Sequence, residues 1–197
     1  QGILSMSGTY PTSPVFNSVN FTSEFFNLSS QTISGRTQVR NIGGQRFTFT
    51  ASYPAMTRAE FSPVQGFLMA QRGMAETFTI VLPEVSSSSG SVVGTILAGA
   101  AASIGDTSIA LDGFTGTLKA GDVFKFANHN KVYMATADLA GAGTLSFQPA
   151  LVASVSDNEI LTHDDVPFTV RLNNDVQEYG ISTDLTYSYE VDFIEAI

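Results

Sequence analysis

The stretch that decides the fold is QRFTFTASYPAMTRAEFSPVQGFLMAQRGMAETFTIVLP, residues 45–83. Its first nine residues alternate. Phe47, Phe49, Ala51 and Tyr53 share one face and Arg46, Thr48, Thr50 and Ser52 the other, the period of a half-buried strand. Pro54 ends it. Thr57-Arg58-Ala59-Glu60 and Ser62-Pro63-Val64-Gln65 both have capping-box form. Proline suits the first helical position after a serine cap. The spacing therefore predicts a turn over 57–61 and a main helix over 63–72, with Val64, Phe67 and Leu68 as its apolar stripe and Gly73 as its close. A second strand follows over 76–82, with Phe78, Ile80 and Leu82 on one face.

Working outward, residues 1–30 are rich in Ser, Thr, Asn and Pro, yet carry Tyr10, Phe16, Phe21, Phe25 and Phe26. Such aromatics are wasted on a free tail, so an arm or irregular strands that pack on something are expected. The sequons at Asn20 and Asn27 read as chance. Residues 86–91, SSSSGS, read as a flexible connector. Short strands are expected over 107–111, 122–127, 131–136, 144–148 and 158–162, a spacing that suggests a small barrel or sandwich. The segment VPFTVRL (166–172) alternates, LTYSYEVDF (185–193) alternates strictly, and both are expected to return to the N-terminal sheet. The chain thus reads as mainly β. Residues 1–93 and 164–197 form one unit, and 94–163 are a small β module inserted into it.

The composition narrows the chemistry. The 197 residues hold no cysteine, which removes a disulfide framework, a zinc–thiolate site and a cysteine nucleophile together. No apolar run reaches the ~18 residues of a membrane span, and no signal peptide is visible. The opening Gln1 reads as the mark of a processed or trimmed chain. Net charge is −9, which argues against nucleic acid as the main partner. The charge is split. Residues 1–72 hold five arginines against two glutamates, net +3, and residues 73–197 hold four basic side chains against sixteen acids, net −12. Two such surfaces on one chain suit head-to-tail contacts between copies, which close into rings.

No catalytic constellation emerges. His129 reads as a solvated turn residue. His163-Asp164-Asp165 has the residue types of a metal or acid–base site but sits where a polar loop is expected. No nucleophile elbow, phosphate loop or calcium-loop spacing is present. No enzyme activity, cofactor or metal is expected. Arg36, Arg40, Arg46, Arg58 and Arg72 are the expected subunit-contact residues, because arginine's planar fork suits fixed protein–protein contacts. Pairing of these arginines within their own subunit is the competing reading.

The run Arg40-Asn41-Ile42-Gly43-Gly44-Gln45-Arg46-Phe47, then MTRAEFSPVQGFLMAQRG (56–73) and ETFTIVLP (76–83), resembles distal tail proteins of tailed bacteriophages. So, less specifically, do LKAGDVFKFANHNKVYMAT (118–136) and the closing DFIEAI (192–197). The resemblance implies an antiparallel β-sandwich with one helix that assembles as a hexameric ring where the tail tube meets the baseplate hub. It also implies, in some members, a second, barrel-like β domain, a place in the virion, and tube and hub proteins as partners. Membrane is not an expected partner, and DNA would only pass through the bore, whose lining is expected to be partly acidic. Two other readings stand beside this one. A carbohydrate-binding module would need a polar or aromatic site on 94–163, although Trp, the favoured stacking platform, is absent. A hydrolase would need a cleft with perturbed carboxylates. Tube and terminator proteins of phage tails share β-sandwich rings and remain alternatives for the level in the tail.

Overall fold

The computed structural model describes residues 6–197, so the first five residues of the expected arm lie outside the described residues. The elements run β1 (Met6–Thr9), β2 (Ser18–Gln31), β3 (Thr37–Ser52), α1 (Arg58–Ala70), β4 (Thr77–Ile80), β5 (Val93–Ala98), β6 (Ser108–Thr115) and β7 (Thr117–Leu118). They continue β8 (Val123–Phe126), β9 (Val132–Ala135), β10 (Leu139–Ala140), β11 (Gly143–Gln148), β12 (Ile160–Thr162), β13 (Phe168–Leu172), β14 (Tyr179–Ile181) and β15 (Tyr187–Glu195).

The fold is mainly β with one α-helix and a closed barrel, as the sequence implied. One sheet has the order β1-β4-β13-β15-β3-β2, with β14 added to β15. The alternating segments pair in the register their periods demand: Phe49 lies opposite both Phe193 and Phe21, and Ala51 opposite both Val191 and Val19. A slip of one residue would turn every aromatic outward. The sheet rolls strongly. Phe21 on β2 and Phe168 on β13 are separated by two strands, about 14 Å of flat sheet, yet their rings approach to 6.1 Å. Beyond the two sheet edges, Tyr10 and Phe16 stack at 5.9 Å. The layers of the expected sandwich are thus supplied by one sheet curled around a Phe- and Tyr-rich core.

Helix α1 covers that core with Phe61, Val64 and Leu68 buried. It starts at Arg58 rather than Pro63, and this corrects the sequence reading. Glu60 accepts hydrogen bonds from the Thr57 N–H and hydroxyl, both at 2.8 Å, so the first capping box wins. Ser62 does not cap; its hydroxyl donates to the Arg58 carbonyl at 2.6 Å. Pro63 is therefore inside a continuous helix, on its exposed side. Phe61 is drawn into the stripe, against Tyr187 at 5.3 Å and Tyr189 at 5.4 Å. The helix ends at Ala70, and Arg72 (φ 55°) takes the left-handed conformation one residue before Gly73.

Strands β11-β6-β5-β12-β8-β9 close the barrel, whose interior is filled by Phe124, Phe126, Tyr133 and Phe147 among others. β5 was not expected. It follows directly on the serine run and shows no strict alternation, and it is paired on both sides, with β6 and with the distant β12 that helps close the barrel. The expected flexible connector is another correction. Ser86 is buried, its hydroxyl accepting from the Leu82 N–H at 2.9 Å. Asp122 accepts from the Ser88 and Ser89 hydroxyls at 2.9 and 2.7 Å, and from the Ser89 and Lys119 N–H groups at 2.9 and 3.0 Å. A Cβ on Gly90 would sit 2.0 Å from the Thr117 carbonyl oxygen, so only glycine lets the two chain segments cross there. The serines are a fastened strap because one buried carboxylate collects their donors.

Candidate functional site

Beyond Phe25 and Gln45, strands β2 and β3 lose every other sheet neighbour and run on as a two-stranded ribbon to the turn at 32–36. The paired part reaches roughly 20 Å at 3.4 Å per residue. A two-stranded hairpin is marginal in water by itself, and this one is apolar. Leu28 is 60% exposed, Val39 65%, and Ile33 at the turn entirely so. Phe25, Phe26 and Ile42 are also exposed. The aromatic arm expected from residues 1–30 is in large part this regular hairpin. The outer edge of β2 is unpaired among the described residues, and the strand carries no Lys or Pro to block a further strand.

Three of the five arginines singled out in the sequence belong to this hairpin. Arg36 is in the turn, held by a hydrogen bond from its N–H to the Thr32 hydroxyl at 3.2 Å. Arg40 lies directly opposite Leu28, and both are exposed. Arg46 lies opposite Glu24 at the root, half-buried. The other two sit at the ends of α1: Arg58 is exposed, and Arg72 makes an ion pair with Glu76. The pairing within the subunit weighed against contact thus applies to Arg72, and leaves Arg36 and Arg40 without a salt-bridge partner among the described residues.

The junction of barrel and sheet is built differently. Phe124, Phe126, Tyr133 and Ala135 point into the barrel, so the alternate residues Val123, Val132 and Met134 face out and join the sheet's core. In the middle of this apolar contact lies Lys131, 1% exposed. Its ammonium donates to the Gln45 carbonyl at 3.2 Å, to Gln45 Oε1 at 2.7 Å and to Glu195, and stands 4.7 Å from the centre of the Phe47 ring. Glu195, fully buried, also accepts from the Phe47 and Val132 N–H groups at 3.2 and 3.1 Å. Gln45 Nε2 donates to Ser23 at 2.8 Å. Burial pushes the Lys131 ammonium below its usual range, Glu195 pulls it back up, and Arg46 adds to the lowering. Every donor of the ammonium has an acceptor. The only warning in the sequence is a lysine beginning an otherwise apolar strand, which reads equally well as a solvated turn.

The two histidines do not come together. His129 is half-buried rather than solvated, with Nδ1 2.6 Å from Asn128 Oδ1 and Nε2 2.7 Å from the Tyr133 hydroxyl. Burial and Lys125 lower its pKa. The neutral ring with the proton on Nδ1 satisfies both contacts, since the Tyr133 hydroxyl can donate to Nε2 while accepting from the Val152 N–H. His163 is half-buried beside the strap, and its neighbour Asp164 accepts from the Ser88 N–H at 3.3 Å. No group of three potential metal ligands is present among the described residues. No helix among them is long and apolar enough to cross a membrane. A cleft of about 240 Å³ between Tyr10, Val15, Phe16 and Val81 is smaller than the ~300 Å³ at which ligand pockets usually begin, and Asp165 is its one charged residue.

Residues 86–165, the strap together with the barrel, match the family model described as distal tail protein pb9, B domain. No curated protein matches the chain. The match takes in the less specifically covered stretch from 118 onward and also residues 86–117, which the resemblance did not cover, and it agrees with that resemblance. Over those residues the chain is similar to the B domain of a distal tail protein, a likeness that supports a structural role in a phage tail.

Proposed function

We infer that the chain assembles into a ring, of six copies, at the distal end of a phage tail, where it joins the tail tube to the baseplate hub. The observation that carries this reading is the ribbon of β2 and β3, which past Phe25 and Gln45 exposes apolar side chains along two strands with no other sheet neighbour among the described residues. Such a hairpin gains stability by packing on another copy. Residues 1–93 and 164–197 form the ring, and 94–163 are the module it carries. Arg36, Arg40, Arg46, Arg58 and Arg72 are the candidate contact residues, the first two foremost because they are exposed on the projecting ribbon and have no salt-bridge partner among the described residues. The acids of residues 73–197 line part of the bore, where they repel DNA phosphate and let it pass without sticking. Tube and hub proteins are the neighbours in the virion, the action is structural rather than enzymatic, and no cofactor is required.

The test is the mass of the purified protein across concentration, with negative-stain images of the assembled species. A ring of about 125 kDa, six times the 20.9 kDa chain, is expected. A particle with another symmetry, or a monomer that binds a glycan, would displace the reading in favour of another tail protein or of a carbohydrate-binding module.

A further inference from the structure

The molecule has a second projecting hairpin, and it is the chemical complement of the first. Between β13 and β15 the chain leaves the core over residues 173–186, and β14 pairs only with the first residues of β15, Tyr187 to Tyr189. Val176, Ile181 and Leu185 on this segment are all more than half exposed, and Tyr179 is 41% exposed. Its charged residues are Asp175, Glu178 and Asp184, with no basic residue among them. Asp175 accepts from the Met74 N–H and so anchors the segment to the turn after α1. Glu178 and Asp184 are exposed and make no side-chain hydrogen bond or ion pair among the described residues of the subunit.

The two hairpins leave the sheet from opposite ends of the same strand pair. β15 lies along β3 only from Ile194 opposite Thr48 to Glu190 opposite Ser52. The ribbon continues past the Thr48 end and the acidic hairpin past the Ser52 end. Arg40 and Tyr187 are therefore on the order of 50 Å apart along the strand direction, counted at 3.4 Å per residue. They do not meet within one copy.

We propose that the cationic ribbon of one copy, with Leu28, Ile33, Val39, Arg36 and Arg40, docks on the anionic hairpin of the next, with Ile181, Leu185, Glu178 and Asp184. Both surfaces are apolar, so each buries what the other exposes. The charges are opposite, so the contact is favoured head to tail and opposed between like hairpins. A contact between two different surfaces, repeated by rotation, closes a ring. This inference rests on the ring reading and names the two surfaces that make it.

The absence of cysteine allows a direct test in the full-length chain. Val39→Cys is placed in one preparation and Ile181→Cys in another, and a short bismaleimide links any pair that meets. The mixture is expected to give a covalent dimer, and either preparation alone little. Arg36→Glu with Arg40→Glu in the Val39→Cys chain is expected to lower the linked yield about tenfold. Adding Glu178→Lys and Asp184→Lys to the Ile181→Cys chain is expected to restore it, while circular dichroism shows the variants folded. Linkage as strong within one preparation as in the mixture, or yields unmoved by the reversals, overturns this pairing. If the unmodified chain nevertheless forms its ring, the ring reading survives through other surfaces. A chain that stays monomeric at every concentration and gives no linked product overturns both.

Discussion

At the scale of single residues, two buried carboxylates hold the parts of the chain together. Glu195 and Lys131 form a buried ion pair whose remaining hydrogen-bonding capacity is met by Gln45 and by backbone. Removing one partner leaves an uncompensated charge in an apolar junction. Lys131→Met is therefore expected to cost about 3–5 kcal/mol, a fall of roughly 10 °C in a thermal melt for a chain of this size. The double variant Lys131→Met with Glu195→Gln should recover part of that loss, because no charge is then stranded. Asp122 works on the strap. Burial works against its charge, but donors from Ser89, Lys119 and Ser88 outweigh it and hold the carboxyl below its ordinary value. The unfolded chain thus binds the proton more readily than the folded one. The stability contributed is complete above about pH 4 and is lost as the pH falls through the folded value. Asp122→Asn is expected to cost about 2 kcal/mol at neutral pH, and its melting midpoint should converge on that of the unmodified chain in acid.

At the scale of elements, α1 shows how a local signal is overruled by its neighbour. Ser62-Pro63 has the form of a helix start, and Thr57-Glu60 has the same form one turn earlier. Starting at Thr57 brings Phe61 onto Tyr187 and Tyr189 and buries it. That burial is worth about 2 kcal/mol, and with the Thr57–Glu60 capping box it offsets the proline left inside the helix. Pro63 is exposed, so Pro63→Ala loses no packing and regains the backbone bond to the Ala59 carbonyl. It should raise stability by about 1–3 kcal/mol in urea unfolding. The ribbon is the opposite case, an element with no packing of its own beyond its root. Its amides from Asn27 to Gln31 should exchange far faster in the dilute chain than those of Phe47 to Ser52, and become protected on assembly.

At the scale of the whole molecule, a rolled sheet and a filled barrel share an apolar contact made by the outward residues of β8 and β9. Both faces of these strands are buried, which is why VFKF and KVYMA carry so few polar residues. The charge split of the sequence reappears as geometry. Arg36 and Arg40 sit on a projection, and acids predominate on the rest of the chain. Assembly driven partly by that split should weaken with salt. Raising sodium chloride from 0.05 to 0.5 M, about a threefold shortening of the screening length, is expected to shift the ring toward smaller species in sedimentation velocity.

By itself the sequence determined the β class, the faces of β3, β13 and β15, the existence of one helix and the phage-tail resemblance. These rest on local periods and short motifs, which need no distant partner to be read. The tertiary structure alone decided where the helix begins, that β5 is a strand, that the serine run is fastened, and that Lys131 is buried. Each of those depends on a group far away in the chain: Tyr187, the closing strands of the barrel, Asp122 and Glu195. The separation of the basic and acidic surfaces was likewise legible only as a sum of charges. Their projection from opposite ends of one strand pair follows from register, which the hydrogen bonds between β3 and β15 set.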